Sequence, residues 1–290
     1  MPPLTTVPPA VTTPAEFVQL LRGPDVSAQD VYDATATMGL HDLDAWQFMK
    51  AVSGAYLSPQ EDPANGSRNF ADMIPAWNPD TVGDYSSTVK ALLAHPWTFR
   101  HYTKATTKPS YYAIESSFDL MKQGNLLSSA ATREGSTFGH DWAALGNVKF
   151  TFACFAVGGV SAHGKLVGHS QKLSDHYHYY AEWPVNSPQF TDCWLSKDLK
   201  DIRYDFTSTM IKEELEGYPG QPYPLCRGTG EDIATAMALY LSKIKLPGSA
   251  TPPQIAAKIS NSDGLMLWEI KNPRKLTVTE WLPVTDNNQT

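Results

Sequence analysis

An α+β fold with a helical N-terminal lobe is what this chain predicts, on three observations. Short amphipathic helical stretches fill its first quarter, an aromatic and β-branched run stands near its middle, and two strand-like segments joined by a turn close it. With 290 residues it sits near the upper size for one hydrophobic core, which favours one main domain carrying a smaller N-terminal part. Hydrophobic residues make up 42% of it and charged ones 18%, a balance that can bury a sizeable core and does not match a disordered chain.

Residues 1–14, MPPLTTVPPAVTTP, are rich in Pro and Thr without a hydrophobic period and predict a semi-extended tether. The stretch lacks the basic and apolar regions of a signal peptide, so export would need a separate carrier. No run approaches the roughly 20 apolar residues of a spanning helix, and no membrane association is expected. Residues 15–84 form the predicted helical lobe. Thr13 caps a helix with Pro14 and Glu16 in its first turn and Phe17, Leu20 and Leu21 on one face; Ser27 opens a second, and AWQFMKAVSGAYL supplies a third. Residues 58–84 hold Pro, Asn, Gly and Asp at turn density and make a long connection.

The core is predicted over residues 85–290. STVKALLAH reads as a helix, TFRHYT as a short β segment, and PSYYAIESSFDLMKQG as a helix ended by Gly124 at its C-cap. VKFTFACFAV is the clearest strand and is expected to be central. Residues 160–188, loaded with His and Tyr, stay open between states. IRYDFTSTM reads as a strand, GEDIATAMALYLSKIKL as a helix, and GLMLWEI and LTVTEWLPV as closing strands joined by the turn-like KNPRK.

Several chemistries find no support. The formal net charge is −7 with no Lys/Arg cluster, which argues against nucleic acid as a partner, because neutralising phosphates needs a concentrated basic surface. Cys154, Cys193 and Cys226 are scattered and form no CxxC pair, so neither a disulfide framework nor a zinc knuckle is predicted. The GxSxG nucleophile elbow and the phosphate-loop motifs are missing.

FRHYTK at residues 99–104, a following helix, LMKQGNLLSS and then GNVKFTF together resemble the opening of the ADP-ribosyltransferase fold, in the branch of bacterial toxins whose first core strand reads His-Tyr-Thr. The likeness covers residues 98–157 and, more loosely, the closing strands. It implies a split antiparallel β-sheet core that holds NAD as substrate and transfers ADP-ribose to a protein. In the family's manner His101 would bond the adenosine ribose hydroxyls, with Thr103 on the same strand face, while Phe150 or Phe152 and Tyr111 or Tyr112 would stack on nicotinamide. One carboxylate is needed near the nicotinamide ribose, to bond its 2′-hydroxyl and stabilise the charge that develops at C1′. Glu269 and Glu280 are the two choices, and Glu269 is favoured because a further strand follows it. The other branch of the superfamily uses Arg on the first strand and a Ser-Thr-Ser motif, which points to Arg100 and to Ser208 in FTSTM. Adjacent strand residues face opposite sides, so only one of Arg100 and His101 can share the site. No Glu-x-Glu precedes either carboxylate, which disfavours arginine as the acceptor. The proline-rich start resembles the cargo region of insecticidal toxin complexes, implying a larger delivery complex, action in the host cytoplasm and a host protein target such as actin.

Two rival readings rest on other residues. KLSDHYHYYAEW brings His169, Asp175, His176 and His178 close in sequence, and His176 with His178 would share a strand face as the start of a metal-dependent hydrolase. No third ligand stands at a recognisable spacing and HExxH is missing, so no metal is assigned. An aromatic surface for a target protein fits the segment equally well. In a non-catalytic binding module, Glu269 and His101 would be surface residues only.

Overall fold

The computed structural model of the protein describes residue 16 and residues 28–48, 85–123, 149–163, 173–175, 177–197, 226–261 and 268–285. The tether, the helix starts at Thr13 and Ser27, the connection over 58–84, Gly124, IRYDFTSTM with Ser208, His169 and His176 all lie outside the described residues. The described helices are α1 (Ala28–Thr37), α2 (Ser86–Leu93), α3 (Ser117–Lys122), α4 (Gly230–Lys243) and α5 (Pro252–Asn261). None is long and apolar enough to cross a membrane. The described strands are β1 (Trp97–Thr103), β2 (Ala113–Ile114), β3 (Thr151–Val157), β4 (Val160–Ser161), β5 (Tyr179–Pro184), β6 (Cys193–Lys197), β7 (Cys226–Gly228), β8 (Trp268–Asn272), β9 (Leu276–Thr277) and β10 (Leu282–Pro283). Every described strand pair is antiparallel, and the chain is mixed helix and antiparallel sheet, an α+β protein.

The chain divides into two compact units, residues 1–73 with 116–150 and residues 74–115 with 151–290. In the first, α1 packs on α3 through rings: Tyr32 lies 4.2 Å from His41 and 5.1 Å from Phe118. Lys149 is buried there. Its ammonium donates to the carbonyls of His41, at 2.8 Å, and Leu43, and sits 4.1 Å from the centre of the Phe118 ring. A buried ammonium survives only when such partners replace water.

The second unit is built on one large sheet in the order β10-β5-β1-β3-β8-β6-β7, with β4 folded back on β3. TFACFAV forms the central strand β3, as its aromatic and β-branched content predicts. The strand serves two neighbours in succession: Thr151, Phe152 and Ala153 pair with β8, while residues 154–157 pair with β1. On one sheet face Phe99 and Phe155 are direct cross-strand partners, 5.6 Å apart, and Phe190 closes on Phe99 at 4.8 Å. Each such ring pair contributes about 0.5–1.5 kcal/mol beyond area burial. Helix α4 packs on β6 and β7, and its Thr229–Asp232 capping box satisfies two of the free amides at its start. Helix α5, which was not predicted from the sequence, packs on β3 and β4 with Ile255, Ala256 and Ile259 buried. Its signal was present: Pro252 stands at the first helical position, and the Gln254 carboxamide accepts from the Thr251 amide at 2.9 Å.

Two predicted elements are corrected. PSYYAIESSFDLMKQG is helical only over Ser117–Lys122, because Ser116 caps the helix through the Asp119 amide, while Ala113 and Ile114 are drawn into pairing with β9. LTVTEWLPV is broken into β9 and β10, which pair with different partners, β2 and β5. Between them Trp281 turns inward, 1% exposed, and donates from its indole nitrogen to the Tyr111 carbonyl at 2.8 Å.

Candidate functional site

Strand alternation sorts WTFRHYT into two sets. Trp97, Phe99, His101 and Thr103 share one face, and Thr98, Arg100 and Tyr102 share the other. Arg100 stands opposite Glu182 on β5 and opposite Cys154 on β3. On the far side of β3 the pairing with β8 ends at Ala153 opposite Ile270, and the Glu269 carboxylate of β8 acts electrostatically on the Cys154 thiol. Cross-strand partners point to the same face, which makes Glu182, Arg100 and Cys154 a row over three adjacent strands.

The row is polar and largely closed to solvent. Arg100 is 2% exposed; its Nε donates to the Glu182 carboxylate, its Nη2 donates to the Gly159 carbonyl at 2.9 Å, and its carbon centre lies 4.4 Å from the middle of the Tyr180 ring. Its Nη1 is buried without a hydrogen-bond partner. Burial alone would lower the guanidinium pKa, but Tyr102 and Glu182 outweigh it and the group stays firmly charged. The Cys154 thiol is pushed up to about 12, first by burial and then by the charges of Glu269 and Glu182, with Arg100 opposing. It is therefore a neutral thiol within electrostatic reach of all three charges. Tyr102, raised by burial above the usual phenol range, donates to Ser161 Oγ at 2.8 Å. On the same face as half-buried Glu269 and two residues along β8, Lys271 is 1% exposed, with its ammonium 4.4 Å from the Trp194 ring centre.

The other residues singled out from the sequence lie elsewhere. His101 faces the side of Phe99; its Nδ1–H donates to the Phe152 carbonyl at 2.7 Å, and burial lowers its pKa, so the ring is neutral. Since a carbonyl only accepts, the tautomer is set by this bond. Thr103, on the His101 face, accepts from the Ala105 amide at 3.2 Å. Tyr111 is 47% exposed, outside any helix, with its ring 5.3 Å from Trp281. Glu280 is exposed between β9 and β10, 3.6 Å from Lys108. Phe150 belongs to the first unit, is 1% exposed and packs edge-on against Trp46 at 5.2 Å. His178 is exposed, and its amide donates to the Thr103 carbonyl at 3.1 Å. Among the described residues no three His, Cys, Asp or Glu side chains group as metal ligands.

The structure thus sets Arg100 and His101 on opposite faces of β1 and leaves Tyr111 and Glu280 exposed. Sequence reading missed Glu182, Tyr180, Cys154 and Lys271. The first two were legible in principle, since YYAEWP alternates ring and carboxylate on one strand face with ring and small residue on the other. No protein-family model and no curated protein matches the chain.

Proposed function

We propose that the protein is an NAD-dependent mono-ADP-ribosyltransferase that modifies a host protein, with Glu269 as the catalytic carboxylate and Arg100, rather than His101, as the strand residue that meets NAD. The observation that carries this reading is that Arg100 on β1 is the cross-strand partner of Cys154 on β3, whose thiol lies within electrostatic reach of Glu269 on β8. The handover of β3 from β8 to β1 within a single strand supports the split-sheet core that the reading requires.

Glu269 accepts a hydrogen bond from the 2′-hydroxyl of the nicotinamide ribose and stabilises positive charge at C1′ as the glycosidic bond breaks. The bonding electrons leave with the nicotinamide nitrogen, an acceptor side chain of the target forms the new bond to C1′, and the acceptor's proton passes to solvent. His101 keeps β1 and β3 in register instead of touching substrate. A host protein, with actin a reasonable first choice, delivery by a larger toxin complex and action in the host cytoplasm complete the proposal; they rest on the likeness of the sequence motifs alone.

The test is transfer of label from NAD to host-cell lysate and to purified actin. Wild-type protein should label a defined band, and Glu269→Gln should lower the rate by roughly 10² to 10³ while keeping NAD affinity and fold, because one transition-state stabiliser is removed. Glu280→Gln should stay active. No labelling by folded wild type would end the transferase reading, and a dead Glu280→Gln beside an active Glu269→Gln would move the carboxylate role to the β9–β10 turn.

A further inference from the structure

A tyrosine offers a large ring and a hydroxyl on only two side-chain torsions, so little entropy is lost when a partner orders it. Among the described residues, Tyr111 and Tyr112 stand 47% and 61% exposed, side by side in the segment between β1 and β2. Their backbone is pinned all the same. The Tyr111 carbonyl accepts from the Trp281 indole at 2.8 Å, the Tyr112 carbonyl accepts from the Val278 amide at 2.9 Å, and Ala113 and Ile114 pair with Thr277 and Leu276. Trp281 is itself buried, and its ring meets that of Tyr111 edge-on at 5.3 Å. Two rings held in water on a pinned main chain can anchor a partner without the cost of ordering their loop.

The charge around the pair runs against that of the chain. The formal net charge is −7 overall, yet residues 104–115 and 273–283, held together by the β2–β9 pairing and the Trp281 bond, carry four cations, Lys104, Lys108, Arg274 and Lys275, against two carboxylates, Glu115 and Glu280. All four cations are exposed, whereas Glu115 is half-buried against Lys275 at 2.8 Å. Lys108 and Glu280 lie 3.6 Å apart, both exposed. An exposed ion pair of this kind is worth little and yields to a competing carboxylate.

An acidic protein segment with apolar residues between its acids complements both features. The tyrosine rings cover its apolar side chains, while the lysine ammonium groups, the Arg274 guanidinium and the two phenol hydroxyls all donate to carboxylates, which only accept. An anionic bilayer fits less well: each cation contributes only about 1 kcal/mol at such a surface, and the large apolar side chains exposed among the described residues are all tyrosines, with no Leu, Ile or Phe to enter the acyl region. We propose that Tyr111 and Tyr112, together with Lys108, Arg274 and Lys275, form a docking surface for an acidic segment of a partner protein. Neither Arg100 nor Glu269 takes part, so this surface stands independently of the transferase reading.

Selection from a random dodecapeptide library on the immobilised full chain, followed by fluorescence titration of the selected peptides, tests this. Peptides rich in Asp and Glu with apolar residues between them should be selected. Tyr112→Ser, which removes the more exposed ring and leaves the backbone bonds in place, should weaken their binding by about tenfold or more, as loss of an interface anchor does. Lys108→Glu should weaken it severalfold, and raised salt should lower the wild-type affinity. Both substitutions are at exposed positions, so circular dichroism and thermal melting should match wild type. Selected peptides without an acidic excess, no selected peptide at all, or peptides that bind either folded variant as tightly as wild type would each overturn the proposal. Wild-type binding to vesicles of phosphatidylcholine and phosphatidylserine that both substitutions abolish, with no acidic peptide bound, would overturn it in favour of a lipid surface.

Discussion

Arg100 and His101 are neighbours on β1, yet alternation sends one into a charged row and the other toward the aromatic side of the sheet. His101 is kept neutral there, its ring nitrogen committed to the Phe152 carbonyl. A neutral, half-buried histidine ties stability to pH with a definite sign. The unfolded ring takes up a proton near its ordinary value of about 6.5, and the folded ring, whose pKa is lowered, does so only in more acid solution. Stability from this site is therefore full above that ordinary value and declines as pH falls from it toward the lowered folded value. His101→Phe should lose about 1 kcal/mol at pH near 7.5, through the unpaired Phe152 carbonyl, and should lose less than wild type on acidification to about pH 5.5. Urea unfolding of both proteins at the two pH values checks this; parallel pH slopes would show that His101 does not carry the linkage.

The β3–β4 hairpin shows how one short element serves both packing and site. Val157 pairs with Val160 across Gly158 and Gly159, which both take positive φ, at 55° and 80°. Two positive values in succession are the signature of the tight turn that matches strand twist, and glycine adopts them freely. The two positions differ in surroundings: a Cβ on Gly158 would meet Pro252 at 2.6 Å, whereas one on Gly159 would meet nothing within 4 Å. Gly159→Ala should therefore cost only the left-handed strain, about 1–2 kcal/mol, and Gly158→Ala should cost that plus about 1–3 kcal/mol of overpacking against the first turn of α5. Thermal melting should rank them in that order, and equal losses would mean that Pro252 yields without cost. The double glycine was readable as a turn. Its contact with α5 was not, because Pro252 is distant in sequence and reaches Gly158 only when the helix packs on β3 and β4.

At the scale of the whole molecule, the two compact units are each closed by their own polar anchors. In the first, Lys149 ties residues 41–43 to the Phe118 ring; in the second, the Glu182–Arg100 pair ties β5 to β1. Lys149→Met keeps the apolar stem but leaves two carbonyls unmatched, which should cost about 1–3 kcal/mol. Amide exchange should then quicken in α1 and α3 of the first unit and stay unchanged in β3 and α4 of the second; equal quickening in all four would show that the anchor stabilises both units. What the chain determined by itself is the class and the clearest elements, because β3, α2 and α4 carry their signals locally in composition, period and caps. It also determined that Arg100 and His101 must part, since the two-residue period of a strand allows nothing else. Only the tertiary structure decided which of them faces Glu182 and Cys154. That outcome depends on the register by which β3 hands over from β8 to β1, and registers are set by side chains far apart in sequence that meet only in the folded sheet. The same holds for Tyr111 and Glu280. Their segments are captured by long-range pairing and by the inward turn of Trp281, which local propensity cannot register.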